Sequence, residues 1–242
     1  MKRDEPAILD ENAFLGLLRN GEAEPRQAFV KAFGRMLPPI ARRLARTHSE
    51  LDRLNPLTST DERASTVHMF LHAALNNVFT STLLLVEGYP LASGNLMRHY
   101  AESCAMALLI VDDNASVWNE FDRLGNRYPV HKAVHRLTQE ATSRRLETLI
   151  GFDSEAWREF VAMSKIYDGF SHSSALSLGF HMMFDQPGTI IFGSQFDPAK
   201  RRELGLELKR RSSALPPLEH LVKSVHRVMQ AREEWKGEPP RE

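Results

Sequence analysis

Arg98 and Glu102 lie four residues apart in a stretch that is otherwise largely apolar. This spacing places both side chains on one face of a helix. A charge in such a helix must be paired, because leaving it desolvated costs several kcal/mol. Arginine before glutamate is the weaker order for an ion pair within one helix, so we expect each to have another partner from a facing helix. The pair predicts either a buried polar pair that fixes helix register or a ligand or catalytic pocket.

A second polar segment extends from Tyr167 to Ser174 and contains Ser171 and His172. His172 is surrounded by small and hydroxylated residues, close to a helix break that we expect at Gly169. Histidine can act as an acid, a base or a switch near neutral pH. His172 is therefore either a catalytic group or a core histidine that bonds to a carboxylate or a backbone group.

Two pairs of histidines have a spacing of four residues: His68 with His72, and His131 with His135. The spacing places two imidazoles on one helix face, which is the geometry of a helical metal site. Further ligands would come from other polar residues: His99, Glu102 or Glu140. The alternative is that these histidines are ordinary polar positions. We predict that the protein has no cofactor.

Basic residues cluster at several places and raise the question of phosphate binding, which needs cations on one face. The clusters are Arg42-Arg43-Arg46, Arg144-Arg145, Lys200-Arg201-Arg202 and Lys209-Arg210-Arg211. Because Glu147, Glu203 and Glu207 are interspersed among them, we interpret these clusters as solvated helix surfaces.

The elements that must position these residues are helices. Periodic apolar residues predict one helix over 63–87 and another over 91–112, joined by Gly88-Tyr89-Pro90. The second is apolar nearly all round from residue 101 to 111, which is typical of the middle of a bundle. A helix over 154–184 is expected to pack against both. We predict that five residues converge there in a partly buried polar cluster: Arg98, Glu102, Tyr167, Ser171 and His172.

The whole chain is predicted to be one all-α domain, residues 1–235, with a disordered tail over 236–242. A helix is expected from Pro129 to about Ile150, and a surface loop or short β-hairpin near 186–197. A last helix should begin near Pro198, break at Pro216-Pro217 because proline removes a backbone donor, and end near Trp235.

Composition narrows the function classes. The 242 residues include 42% hydrophobic and 26% charged, and the formal net charge is +0. A protein that binds nucleic acid or a membrane over its whole surface would usually show a charge bias. The longest apolar run is about seven residues, against the roughly 20 that a membrane helix needs, and the first residues lack a secretory signal. We therefore expect a cytoplasmic protein without a membrane partner, whose single cysteine, Cys104, belongs to the core.

The chain resembles the HEPN superfamily (higher eukaryotes and prokaryotes nucleotide-binding) over roughly residues 63–184. The resemblance rests on Glu-Gly-Tyr-Pro-Leu-Ala-Ser at 87–93, on Met-Arg-His-Tyr-Ala-Glu at 97–102, and on the later Tyr167 and Ser171-His172. It implies a HEPN-like helical core, a homodimer, and a regulatory or interaction module of a bacterial defence or toxin–antitoxin system, with RNA or a protein as partner.

Active members of that superfamily are metal-independent ribonucleases in which an arginine and a histidine on one helix act together. The resemblance thus implies His172, Arg98 and Glu102 as catalytic candidates, with Tyr167, Ser171, His99 and Lys165 around them. No arginine lies between Lys165 and His172, so Arg98 would supply the cation from another helix. A metal-dependent enzyme that uses the histidine pairs is the second alternative.

Overall fold

The computed structural model describes residues 23–58, 61–112, 116–137, 154–171, 175–183 and 193–236, with a few single positions between 139 and 151. The secondary-structure elements in that part of the chain are all helical, which confirms the all-α class. The α-helices are α1 (Ala23–Phe33), α2 (Leu37–Thr58), α3 (Glu62–Val86), α4 (Pro90–Val111), α5 (Ser116–Leu124), α6 (Ala133–Leu137), α7 (Ser154–Ser171), α8 (Ala175–His181) and α9 (Arg201–Lys236). Short 3-10 turns lie at Gly34–Met36, Gly125–Arg127, Val130–Lys132 and Pro198–Lys200.

The hairpin of α3 and α4 agrees with the predicted one to within a residue at each helix end. The carboxylate of Asp61 accepts a hydrogen bond from the amide of Ala64 at 3.0 Å and caps α3. Gly88 between the helices has a φ of +87°, a left-handed conformation that glycine adopts without strain. A Cβ at Gly88 would lie 2.6 Å from the backbone nitrogen of Gln195. This turn therefore requires glycine for two reasons, its positive φ and its contact with Gln195.

Helix α4 lies in the middle of the bundle, as its apolar sequence predicted. Its side chains from Ser103 to Val111 are all buried, and it packs against α3, α6, α7 and α9. The guanidinium of Arg63 closes its C-terminal end by donating to the carbonyl oxygens of Ile110, at 2.7 Å, and Asp112. A cation at this position also complements the negative end of the helix dipole.

The predicted break at Pro216-Pro217 is wrong, because α9 continues as helix through both prolines. Leu215 and Leu218 on either side are fully buried, and the Tyr100 hydroxyl donates to the Ala214 carbonyl at 2.8 Å. Core packing therefore holds the helix across two positions that disfavour it. Gly169 likewise does not interrupt α7.

Two other predictions fall mainly outside the described residues. The chain after Pro129 begins with the turn Val130–Lys132 and α6, and most of the remainder of the predicted helix to Ile150 lies outside them. The same holds for most of the predicted β-hairpin, of which the described part, residues 193–197, is not a strand.

Helix α3 is long and apolar enough to cross a membrane by length and composition alone. The sequence-based count of apolar runs missed this property, because Arg63 and scattered polar residues interrupt the runs without making the helix polar. Core helices of globular proteins pass the same test, and α3 packs against α1, α2, α4 and α9.

Candidate functional site

Arg98 and Glu102 form an ion pair on the side of α4 that faces α7. Arg98 Nε donates to Glu102 Oε1 at 3.0 Å, and Asp168 Oδ1 of α7 lies 3.6 Å from the same nitrogen. The expected partner from a facing helix is thus present for Arg98. For Glu102 no such partner lies among the described residues, where its second oxygen lies 3.2 Å from Nδ1 of His99 on the same helix.

A cavity of about 400 Å³ opens beside this pair. Helix α4 supplies one wall, the 3-10 turn Val130–Lys132 and α6 supply the second, and α7 supplies the third. It is lined by Arg98, Glu102, His131, Val134, His135, Ser164, Lys165 and Asp168. Two cations, an arginine and a lysine, thus share the space with two carboxylates, and the fixed charges cancel while the histidines are neutral. We call it the Arg98 cavity.

The Arg98 guanidinium is anchored at its Nε atom. Its side chain is 22% exposed, and the carboxylates of Glu102 and Asp168 both approach its Nε atom. Within the described part of the chain, neither Nη nitrogen has a partner. An anchored planar fork of this kind is suited to bidentate binding of a phosphate or carboxylate group. The Lys165 ammonium on the cavity wall also has no ion-pair partner among these residues.

The structure divides the predicted polar cluster. Tyr167 does not share the Arg98 cavity, although it was expected to; its ring is fully buried and its hydroxyl donates to Glu207 Oε2 at 3.1 Å. Adjacent residues on a helix point about 100° apart, so Asp168 faces the cavity while Tyr167 faces the core. Ser171 is the last residue of α7. Its side chain, and all of His172, lie outside the described residues.

The sequence analysis did not predict a buried ion pair between Arg211 and Glu207, because it interpreted the basic cluster Lys209-Arg210-Arg211 as a solvated helix surface. Arg211 is 0% exposed, and its Nη1 lies 2.9 Å from Glu207 Oε2. Its other nitrogens reach Ser81 Oγ at 2.9 Å and Ser93 Oγ at 2.5 Å. Burial and the Glu207 carboxylate raise the pKa of the Tyr167 hydroxyl.

The sequence did contain a signal for this pair. Arg211 continues an apolar stripe at alternating spacings of four and three residues, which is formed by Leu204, Leu208, Leu215, Leu218 and Val222. A single charge in such a stripe is turned toward the core. The matching signal on α3 and α4 was a serine at a core position of each helix, Ser81 and Ser93.

The two histidine pairs have different surroundings. The His68 and His72 rings are 4.6 Å apart, and His48 of α2 is 6.0 Å from His72. Burial, then the charges of His68 and His48, lower the pKa of His72. His68 Nε2 lies 3.1 Å from the Leu51 carbonyl oxygen, which occupies one of its two nitrogens.

His131 and His135 both line the Arg98 cavity. The sequence alone did not predict that this pair lies beside Arg98. Within the described ranges no group of three or more His, Cys, Asp or Glu side chains is arranged to hold a metal ion. The metal site therefore stays a prediction from spacing alone.

No protein-family model, curated protein or solved structure matches the chain. The resemblance to the HEPN superfamily consequently stays a prediction, and a function must be argued from the site itself.

Proposed function

We propose that this protein is a non-catalytic regulatory or interaction module that binds a small phosphorylated ligand in the Arg98 cavity. One observation carries the proposal: Glu102 and Asp168 approach the Arg98 guanidinium at Nε, neither Nη nitrogen has a hydrogen-bond partner among the described residues, and Arg98 lines the cavity. Because the fork is already held in place, ligand binding needs little further ordering of this side chain.

The other walls favour a phosphate group on a small molecule. Lys165 adds a second cation to the same space, and phosphate oxygens accept hydrogen bonds from both kinds of group. A volume of about 400 Å³ lies within the usual range for small-molecule sites. Glu102 and Asp168 cancel much of the positive charge, so a monophosphate suits the cavity better than a polyphosphate chain, whose additional charges would meet carboxylates.

The biological setting follows from the resemblance to the HEPN superfamily. It places the module in a bacterial defence or toxin–antitoxin system, in the cytoplasm, as a homodimer with RNA or a protein as partner. In this setting the module senses the ligand as a signal and transmits that signal to its partner.

Titration calorimetry with adenosine monophosphate, beside adenosine as the probe without phosphate, tests the proposal. We expect the monophosphate to bind and adenosine to bind at least tenfold more weakly, since hydrogen bonds to a charged group contribute about 1.5–3 kcal/mol. Lys165→Met should weaken binding of the monophosphate and leave adenosine unchanged. Equal binding of both probes, or none, would refute a phosphate site.

A metal-independent ribonuclease is the second candidate, because His131 and His135 share the cavity with Arg98. Cleavage of RNA needs an imidazole to move the 2′-hydroxyl proton and a cation to hold the phosphate. The test is cleavage of total RNA in excess EDTA by the wild type, Arg98→Lys, His172→Ala, and the double variant of His131 and His135 to alanine. If the wild type cleaves RNA and these variants do not, the protein is a ribonuclease and the regulatory proposal is wrong. If the wild type does not cleave RNA, the ribonuclease candidate is ruled out.

A further inference from the structure

A second cavity, of about 320 Å³, lies between α7 and α9. None of its lining residues lines the Arg98 cavity. Its most buried lining residues are Tyr100, Phe160 and Ala214, which form its floor. The Tyr100 hydroxyl is the only polar side-chain group of that floor, and it donates to the Ala214 carbonyl oxygen at 2.8 Å. The floor therefore presents no unbonded polar side chain to the cavity.

The walls of this cavity are apolar and accessible. Met163 and Ile166 of α7 face Leu206 of α9 across it, and Ala162 and Pro217 are the other apolar residues of the walls. Ile166 is 36% exposed and Leu206 is 41% exposed, so a solute can reach both side chains. Exposed apolar side chains that line a groove are typical of a binding site, because covering them removes apolar surface from water.

Three polar residues of α9 complete the lining, and two of them are cations: Lys209, Arg210 and Ser213. Arg210 is already paired with the carboxylate of Glu207. Lys209 is exposed and has no ion-pair partner among the described residues. Lys209 and Ser213 are four residues apart, which places them on one face of the helix. Since the described lining includes no acidic residue, the charge at this edge of the cavity favours an anion.

We propose that this cavity binds a small amphipathic anion, which is an apolar carbon chain that ends in one carboxylate. The walls from α7 and α9 cover the chain, and the carboxylate pairs with Lys209. The volume of about 320 Å³ lies at the lower end of the roughly 300–1,000 Å³ of small-molecule sites, so the ligand is a medium-chain rather than a long-chain fatty acid.

Octanoate and 1-octanol form a matched pair of probes for this proposal, because they share a chain length and differ in charge. We expect titration of the full chain, followed by amide chemical shifts, to show octanoate bound about threefold or more tightly than 1-octanol. Hexanoate should bind about tenfold more weakly than octanoate, since each buried methylene group strengthens binding by roughly a factor of four. The shifts should centre on residues 160–166 and 206–217. Equal binding of octanoate and 1-octanol, or octanoate shifts centred on the Arg98 cavity, would overturn the proposal.

Lys209→Met removes the charge and keeps an unbranched, flexible side chain at an exposed position. In this variant octanoate should lose its advantage over 1-octanol, while 1-octanol binds as it does to the wild type. Lys31→Met is the control, since Lys31 is exposed on α1 and lines neither cavity. A preference for octanoate that survives in Lys209→Met would also overturn the proposal.

A second copy of the chain is the other occupant that would cover these walls. Leu206→Glu adds a negative charge to one wall, so it should weaken octanoate binding at least tenfold and leave the mass of the protein in solution unchanged. Leu178→Glu, at an exposed position on α8, is the control and should change neither. If Leu206→Glu converts a dimer into a monomer, or if it binds octanoate as the wild type does, the proposal is wrong.

Discussion

Arg211 Nη1 and Glu207 Oε2 lie 2.9 Å apart, and their side chains are 0% and 3% exposed. Two further contacts hold the glutamate, from Tyr167 and from Arg210. Ser81 and Ser93 satisfy the remaining nitrogens of Arg211, so one guanidinium joins α3, α4 and α9. A buried pair this fully bonded fixes the register of three helices, at the cost of desolvating two charges.

Removal of one partner of this pair should be strongly destabilising. Arg211→Met leaves the Glu207 carboxylate buried with fewer partners, and we expect it to lower the free energy of unfolding by about 3–5 kcal/mol in urea denaturation. Lys209→Met, two positions away and exposed, is the control and should change it by less than about 0.5 kcal/mol. Equal stabilities of the two variants would show that the pair does not hold the bundle together.

Gly94 of α4 lies directly against the Phe170 ring of α7. A Cβ there would lie 2.1 Å from Cδ1 of Phe170, and that ring is held between Tyr167 and Phe180. We expect Gly94→Ala to destabilise the protein by about 1–3 kcal/mol through overpacking. The matched variant Gly179→Ala, on helix α8 with nothing within 4 Å of its Cβ, should stabilise it by up to about 1 kcal/mol. Thermal unfolding compares them, and a neutral Gly94→Ala would contradict the packing.

Cys104 should not react with thiol reagents in the folded protein. Burial raises the pKa of its thiol from 9.0 to about 12, so the reactive thiolate is scarce. The residue is also only 2% exposed. We expect Ellman's reagent to modify Cys104 only after unfolding in urea. Ser213→Cys adds an exposed thiol as the positive control. Reaction of the native wild type at the rate of that control would contradict the burial of Cys104.

The stability of the protein should fall when His72 becomes protonated. Burial and the neighbouring His68 and His48 lower its pKa below the ordinary 6.5, so the unfolded chain binds the proton more readily than the folded one. Stability is therefore fully present above the unfolded pKa and decreases as the pH drops below it.

Urea midpoints measured as a function of pH test this expectation. His72→Gln should flatten the decrease below pH 6.5, while His181→Gln, at an exposed position, should leave it as it is in the wild type. An identical pH profile for His72→Gln and the wild type would contradict a titrating His72.

Local sequence signals predicted the α3–α4 hairpin well. Gly88 and Pro90 act through their own backbone geometry, which needs no knowledge of the rest of the chain. The apolar run of α4 likewise predicted its central position, because a helix that is apolar all round has to be buried.

Features set by distant contacts were not predicted. Pro216 and Pro217 stay helical because of packing by other helices, and Arg211 is buried because serines of α3 and α4 complete its bonding. The Arg98 cavity was predicted only in part: Arg98 and Glu102 followed from their spacing. The contributions of Asp168 and His131 depend on how α7 and the turn before α6 pack against α4.

The affinity of Arg98→Lys for adenosine monophosphate tests the central claim most directly. Lysine keeps the charge but has no planar fork, so it cannot reproduce two parallel hydrogen bonds to a phosphate. Arg53→Lys is the matched control, since Arg53 forms an ion pair with Glu50 on the surface of α2, far along the chain from the cavity. We predict binding about ten- to a hundredfold weaker for Arg98→Lys and unchanged for Arg53→Lys. Equal affinities of the wild type and a stably folded Arg98→Lys would contradict a phosphate site at Arg98.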